Sequence, residues 1–185
     1  MEEELPPALG VVIEEGRGSL PFALIHGEAL VACASWGLGD SGVTSVDLGT
    51  EWAGLVDGGE PFVLHDSLCP MTPATFIAEC LVRAVERDTV VVGVRPVTDT
   101  VKVVTDGVVG ETVARDTLRA VASPIVLPAR VVAELDGLPS LDFAELAGRL
   151  EARFEVEYVE APASGRRVTS ADDIAVLEAL TQPLR

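Results

Sequence analysis

A chain of 185 residues, 48% of them hydrophobic, can bury one sizeable core and reads as a single domain over 1–185. Its 30 acidic residues outnumber 13 basic ones (twelve arginines and Lys102), for a net charge of −17; that field repels nucleic acid, anionic membrane and free nucleoside triphosphate unless local arginines or a divalent cation offset it. Three cysteines (Cys33, Cys69, Cys80) with no CxxC spacing argue against a disulfide framework or a zinc site, and an acidic N-terminus with no apolar run near 18 residues predicts a cytoplasmic protein with no nucleic-acid or membrane partner.

In chain order, Leu9 to Glu14 reads as a buried strand, followed by the glycine loop Gly16-Arg17-Gly18-Ser19. Leu20 to Ile25 is extended or irregular, and Ala29 to Trp36 reads as a short helix stopped by Gly37 and Gly39. Val43 to Asp47 predicts a strand, Thr50 to Val56 one or two helical turns, and Phe62 to His65 an apolar strand ending on Asp66. Thr72-Pro73 has the N-cap and first-turn pattern of a helix carrying Phe76, Ile77, Cys80, Leu81 and Ala84 on one face. Thr89 to Val94 is apolar throughout, as in a strand covered on both faces. Val101 to Val104 and Val108 to Val113 flank Asp106-Gly107, the strongest hairpin signal in the chain. Ile125 to Leu127 forms a strand before Pro128; helices follow over Ala129 to Leu135 and Leu141 to Arg153, then a strand over Phe154 to Val159. Ser170 to Asp173 opens a closing helix, Ile174 to Leu180, with a capping box. Strands alternating with helices predict an α/β three-layer sheet with the hairpin as an appended arm.

Three segments carry chemistry. His65-Asp66-Ser67-Leu68-Cys69-Pro70, Pro96-Val97-Thr98-Asp99-Thr100-Val101-Lys102 and Thr112-Val113-Ala114-Arg115-Asp116-Thr117-Leu118 resemble, in order and spacing, the HDAARP, PVxDTxK and TVxRxxL motifs of the 2-C-methyl-D-erythritol 4-phosphate cytidylyltransferases of the isoprenoid pathway. The resemblance covers about residues 10 to 181 and is closest from 62 to 121. It implies a Rossmann-like nucleotidyltransferase sheet with a protruding β-hairpin dimerisation arm at about 97–115. In such an enzyme a phosphate oxygen attacks and pyrophosphate leaves, so the site needs amides, cations and a carboxylate-held metal.

By resemblance Asp66 is the magnesium ligand; read from the residues alone it serves equally as a cap of the following loop. Cys69 stands where the family has arginine and reads as a buried, idle thiol, His65 as a structural residue, and His26 has no recognisable partner. Thr100, Arg115 and Arg167 match the residues that hold the sugar phosphate; the alternative for the arginines is pairing with surplus carboxylates. On the nucleotide side Gly16, Gly18 and Thr50 match the family's positions. The family's alanine pair is Glu14-Glu15 here, its loop arginine Leu20, its following lysine Phe22, and Asp47 stands where an arginine reads the base. Arg17 is the one substitute cation, so Arg17 and Arg167 are the catalytic candidates.

Three functions follow. The first is a degenerate family member with impaired CTP binding and little or no activity, a dimeric subunit that binds a phosphorylated small molecule or completes the site of an intact paralogue in a heterodimer. The second is an active, magnesium-dependent enzyme joining a nucleoside monophosphate to a sugar or polyol phosphate. The third is a scaffold homodimer without ligand; outside the active case no cofactor is expected.

Overall fold

The computed structural model describes residues 4–97, 101–113 and 118–182, with the backbone alone at 101–103, 112 and 113. The chain forms β1 (Leu9–Ile13), β2 (Leu24–Ile25), β3 (Glu28–Ala29), α1 (Leu30–Asp40), β4 (Thr44–Ser45), α2 (Trp52–Gly58) and β5 (Phe62–Asp66). It continues with α3 (Ala74–Arg87), β6 (Val90–Pro96), β7 (Val101–Thr105), β8 (Val108–Val113), β9 (Arg119–Leu127), α4 (Ala129–Glu134), α5 (Phe143–Glu151), β10 (Val156–Glu160) and α6 (Ala171–Leu180).

Six strands make one sheet in the order β10-β6-β9-β5-β1-β4. β1 runs parallel to β4 and β5, and β10 parallel to β6. Only β9, wedged between β5 and β6, is antiparallel. The uninterrupted apolar run of β6 follows from this setting. Val90, Val92 and Val94 pack with Ile125 and Leu127 against α4 and α5, while Val91 and Val126 face α3 on the other side. Both faces of the sheet are covered, which gives the three-layer α/β architecture that strand–helix alternation predicts. A third small cluster, Ile25, Leu30, Leu68, Val168, Ile174 and Leu177, seats α6 over the loops at one end. Among the described residues no helix is long and apolar enough to cross a membrane.

Several local expectations are corrected. Gly37 and Gly39 do not stop α1, which continues to Asp40. Gly37 is needed for close approach instead, since a Cβ there would sit 3.3 Å from the Thr72 carbonyl oxygen. Pro73, not Thr72, is the N-cap of α3, and the Thr72 hydroxyl donates back to Cys69 O at 3.0 Å. Val43 to Asp47 yields only the two-residue edge strand β4. Leu20–Phe22 is one 3-10 turn, and β2 and β3 form a small hairpin around His26-Gly27, both with positive φ (50° and 82°). His26 does have partners, both on or beside α6: its Nε2 lies 2.7 Å from Thr181 Oγ1 and its N–H donates to Glu178. α5 begins at Phe143 because the Asp142 side chain accepts from Glu145 N, and α6 begins at Ala171 because Ser170 accepts from Asp173 N.

The hairpin β7–β8 pairs antiparallel about Asp106-Gly107, whose φ values of 52° and 77° are both left-handed, as a type I′ turn demands.

The largest surprise of the fold is the length of β9. Arg-Ala-Val-Ala-Ser-Pro at 119–124 carries little strand signal, and a proline belongs in a central strand only where the ladder is irregular. Here the β6–β9 register shifts between Val92 and Val94. Gly93 faces that irregularity: an added Cβ would lie well inside van der Waals contact of the Ser123 carbonyl, and 3.2 Å from Pro124 N. Since backbone cannot step aside cheaply in the middle of a sheet, Gly93→Ala is expected to cost about 2–3 kcal/mol. A urea midpoint unchanged from wild type would refute this.

Candidate functional site

β1 and β5 run side by side and end level, with Ile13 registered opposite Asp66. Open α/β sheets offer their ligand crevice at such carboxyl ends. The loop after each strand decides the chemistry.

After β1, Gly16 and Gly18 both take positive φ (75° and 60°), and no atom lies within 4 Å of a Cβ built on either. They are required for the left-handed turn, not for close approach. That turn sends Arg17 inward. Its Nε donates to Asp66 Oδ1 at 2.9 Å, one Nη to Glu15 O at 2.6 Å and the other to Leu141 O at 3.0 Å. The guanidinium also stacks over the Phe143 ring at 5.5 Å, and only 4% of the side chain is exposed.

Asp66 is fully buried. Oδ1 accepts from both Arg17 Nε and Leu68 N, and Oδ2 accepts from Arg167 Nε at 2.9 Å. Burial by itself would raise its pKa, but the Arg17 bond and charge, the Leu68 amide and Arg167 together hold it below the usual carboxylate value. The cap reading of Asp66 is therefore realised through Leu68 N, and two arginines join it. Arg167 reaches the cluster because Val168 N donates to Leu68 O at 2.7 Å, which docks its segment on the loop after β5. Its side chain is 34% exposed, and among the described residues its Nη groups have no partner.

These residues, as arranged, do not fit the magnesium ion that the resemblance implies. The ion takes one or two carboxylates plus phosphate oxygens and water. Here Oδ1 has both lone pairs filled, and guanidinium groups flank each oxygen. Unit charges 4 Å apart repel by about 4 kcal/mol near a protein surface, and a dication doubles that. Among the described residues no group of three His, Cys, Asp or Glu side chains could hold a metal.

Neighbouring and predicted residues fall elsewhere. Arg166, next to Arg167, pairs with Asp173 at 3.2 Å. Thr50 is exposed and closes a turn by donating its N–H to Asp47 O at 2.9 Å. Thr100 and Arg115 lie outside the described residues. Cys69 is fully buried with its thiol pKa pushed well up by burial and by Asp66, and Cys80 is raised to about 12, so both are inert.

Beside the glycine loop lies a cleft of about 350 Å³ between β1, α1 and β4. Glu14, Glu15 and Asp47 line it with Ser35, Ser45 and apolar neighbours, and among the described residues no lysine or arginine does. Sequence reasoning named these carboxylates but could not tell that they converge. It also missed Leu141 and Phe143 as the seat of Arg17, and Ser123. The Ser123 hydroxyl accepts from Asp66 N at 2.9 Å and lies 2.6 Å from Nδ1 of the fully buried His65. No local pattern marks such long-range partners.

The sheet order, the layered helices and a cationic cluster at the carboxyl ends of β1 and β5 define an α/β protein of the nucleotidyltransferase type. Residues 36–182 match the family model of 2-C-methyl-D-erythritol 4-phosphate cytidylyltransferase (IspD). The chain belongs to that family. It is similar to the enzyme of that name from Bacillus licheniformis, at 30% identity over 139 residues covering 71% of this chain and 59% of the relative. For the Bacillus cytotoxicus enzyme the identity is 34% over 125 residues, covering 64% and 54%. The chain thus spans little more than half the length of these curated relatives. The crystal structure of the Thermus thermophilus enzyme superimposes with a TM-score of 0.66 at 22% identity, covering 92% of this chain and 96% of that one, a likeness of fold.

Proposed function

We propose that this chain is a family member with impaired CTP binding and little or no transferase activity, a dimeric subunit that holds a phosphorylated small molecule. The observation carrying this reading is the acidic cleft beside the glycine loop. Glu14, Glu15 and Asp47 line the cleft beside the glycine loop, where the family resemblance puts the triphosphate, and the loop's one cation is turned inward to Asp66. Like charges about 4 Å apart repel by about 1 kcal/mol even in bulk water, and more near protein. On the other side of Asp66, Arg167 keeps donors that have no partner among the described residues and suit a phosphate oxygen. The relatives' name suggests a polyol phosphate as the class of ligand.

Calorimetric titration tests the reading. CTP with magnesium is expected to give no heat at millimolar concentration. Micromolar CTP binding, with turnover of a nucleoside triphosphate and a sugar phosphate, would instead establish the active transferase.

Dimerisation through the hairpin is part of the same proposal. Val104, Val108 and Val109 are 62%, 68% and 61% exposed on a two-stranded ribbon, which is marginally stable without a surface to pack on. A second copy of this chain, or an intact paralogue, supplies that surface. Val108→Asp combined with Val109→Asp should shift the sedimentation coefficient from dimer to monomer. For a mixed dimer, Arg115→Ala should lower the paralogue's activity.

A further inference from the structure

We infer that Asp66 in this chain is a positioning residue for Arg167, not a metal ligand, and that the phosphate site it organises works without a divalent cation. The inference rests on the proposed phosphorylated ligand at Arg167. Its foundation is the three-residue cluster: one fully buried carboxylate bonded to the Nε of two arginines. The two arginines are not equivalent. Arg17 spends its donors on Asp66, Glu15 O and Leu141 O and is sealed from solvent. Among the described residues Arg167 spends only Nε, so the carboxylate fixes the guanidinium plane and leaves both Nη groups for a ligand.

Charge leads to the same arrangement. Two guanidinium groups and one carboxylate leave the cluster at +1 in a protein of net −17, so a phosphate oxygen meets a local cation that is already in place. A divalent ion would have to displace a guanidinium to reach Asp66. An arginine already oriented by a carboxylate also loses less side-chain freedom when it binds an anion.

The probe is inorganic phosphate, titrated calorimetrically into the whole chain with EDTA and then with excess magnesium. The expected dissociation constants agree within about twofold. In parallel, manganese binding is followed by electron paramagnetic resonance, with no component expected that Asp66→Asn removes. Because Asp66→Asn strands the buried Arg17 charge and weakens the fold, the decisive variant is Arg17→Met combined with Asp66→Asn. It keeps the cluster at +1, so lost affinity reports lost positioning and not lost charge. About tenfold or greater weakening is expected, as for removal of a partner that orients a ligand-binding side chain.

Phosphate binding that strengthens tenfold or more with magnesium overturns the inference. So do a double variant that binds as tightly as wild type, a manganese site that depends on Asp66, and an absence of phosphate binding in every condition. The proposed function fails separately, through tight binding of CTP, which is not a component of these titrations.

Discussion

Asp66→Asn is expected to lower the unfolding free energy by about 3–5 kcal/mol, the range for removing one member of a buried ion pair. The asparagine side chain fits, so the loss is electrostatic: Arg17 would stay 4% exposed with no counter-charge. The variant also weakens the bond to Leu68 N that shapes the loop after β5. Arg167→Gln should cost less, since its side chain is 34% exposed and water can take over its solvation. Arg17→Met combined with Asp66→Asn should recover much of the deficit, because it removes the uncompensated buried charge that makes breaking one side of such a pair costly. A carboxylate serving only to hold a metal predicts the opposite for the metal-free protein, namely that Asp66→Asn leaves it unchanged or stabilises it. Urea unfolding in EDTA separates the two, and equal midpoints for wild type and Asp66→Asn would defeat the cluster account.

The second large effect is on acid stability and is expected at His65. Burial lowers its pKa from 6.5 to about 4, with the Asp66 charge opposing only in part. Its Nδ1 lies at the Ser123 hydroxyl, and Nε2 is buried without a partner among the described residues. The folded state therefore refuses a proton that the unfolded chain accepts below pH 6.5. The stabilisation is fully present above the unfolded value and is lost as pH falls from 6.5 towards about 4. It amounts to about 3 kcal/mol. Asp66, whose folded pKa lies below its ordinary 3.8, adds a further loss only beneath that window. The measurement is the urea midpoint across this pH range in wild type and in His65→Gln. A flattened profile in the variant is expected, and an identical slope in both would remove His65 from the explanation.

The family resemblance makes the main features of the fold legible in the sequence. The apolar run at Val90–Val94, the Asp106-Gly107 turn and the Ser170 cap are local signals, and each led to its element. β9 did not follow, because its first residues are polar or small and its strand character comes from the two neighbours that pair with it. The site divides in the same way. Leu20, Phe22, Glu14 and Glu15 in and beside the glycine loop are residue identities that can be read directly.

What remained hidden was where the surviving cations point. Arg17 and Asp66 are 49 residues apart, Arg167 and Asp66 are 101, and Arg17 and Leu141 are 124. By itself the sequence determined the layered α/β class, the acidic character and the presence of a single cation, Arg17, in the glycine loop, because these depend on periodicity and on residue identity. Only the tertiary structure decided that Asp66 is neutralised by arginines and that Glu14, Glu15 and Asp47 share one cleft. Partner choice depends on which loops the sheet order brings to one edge, and no short stretch of sequence carries that information.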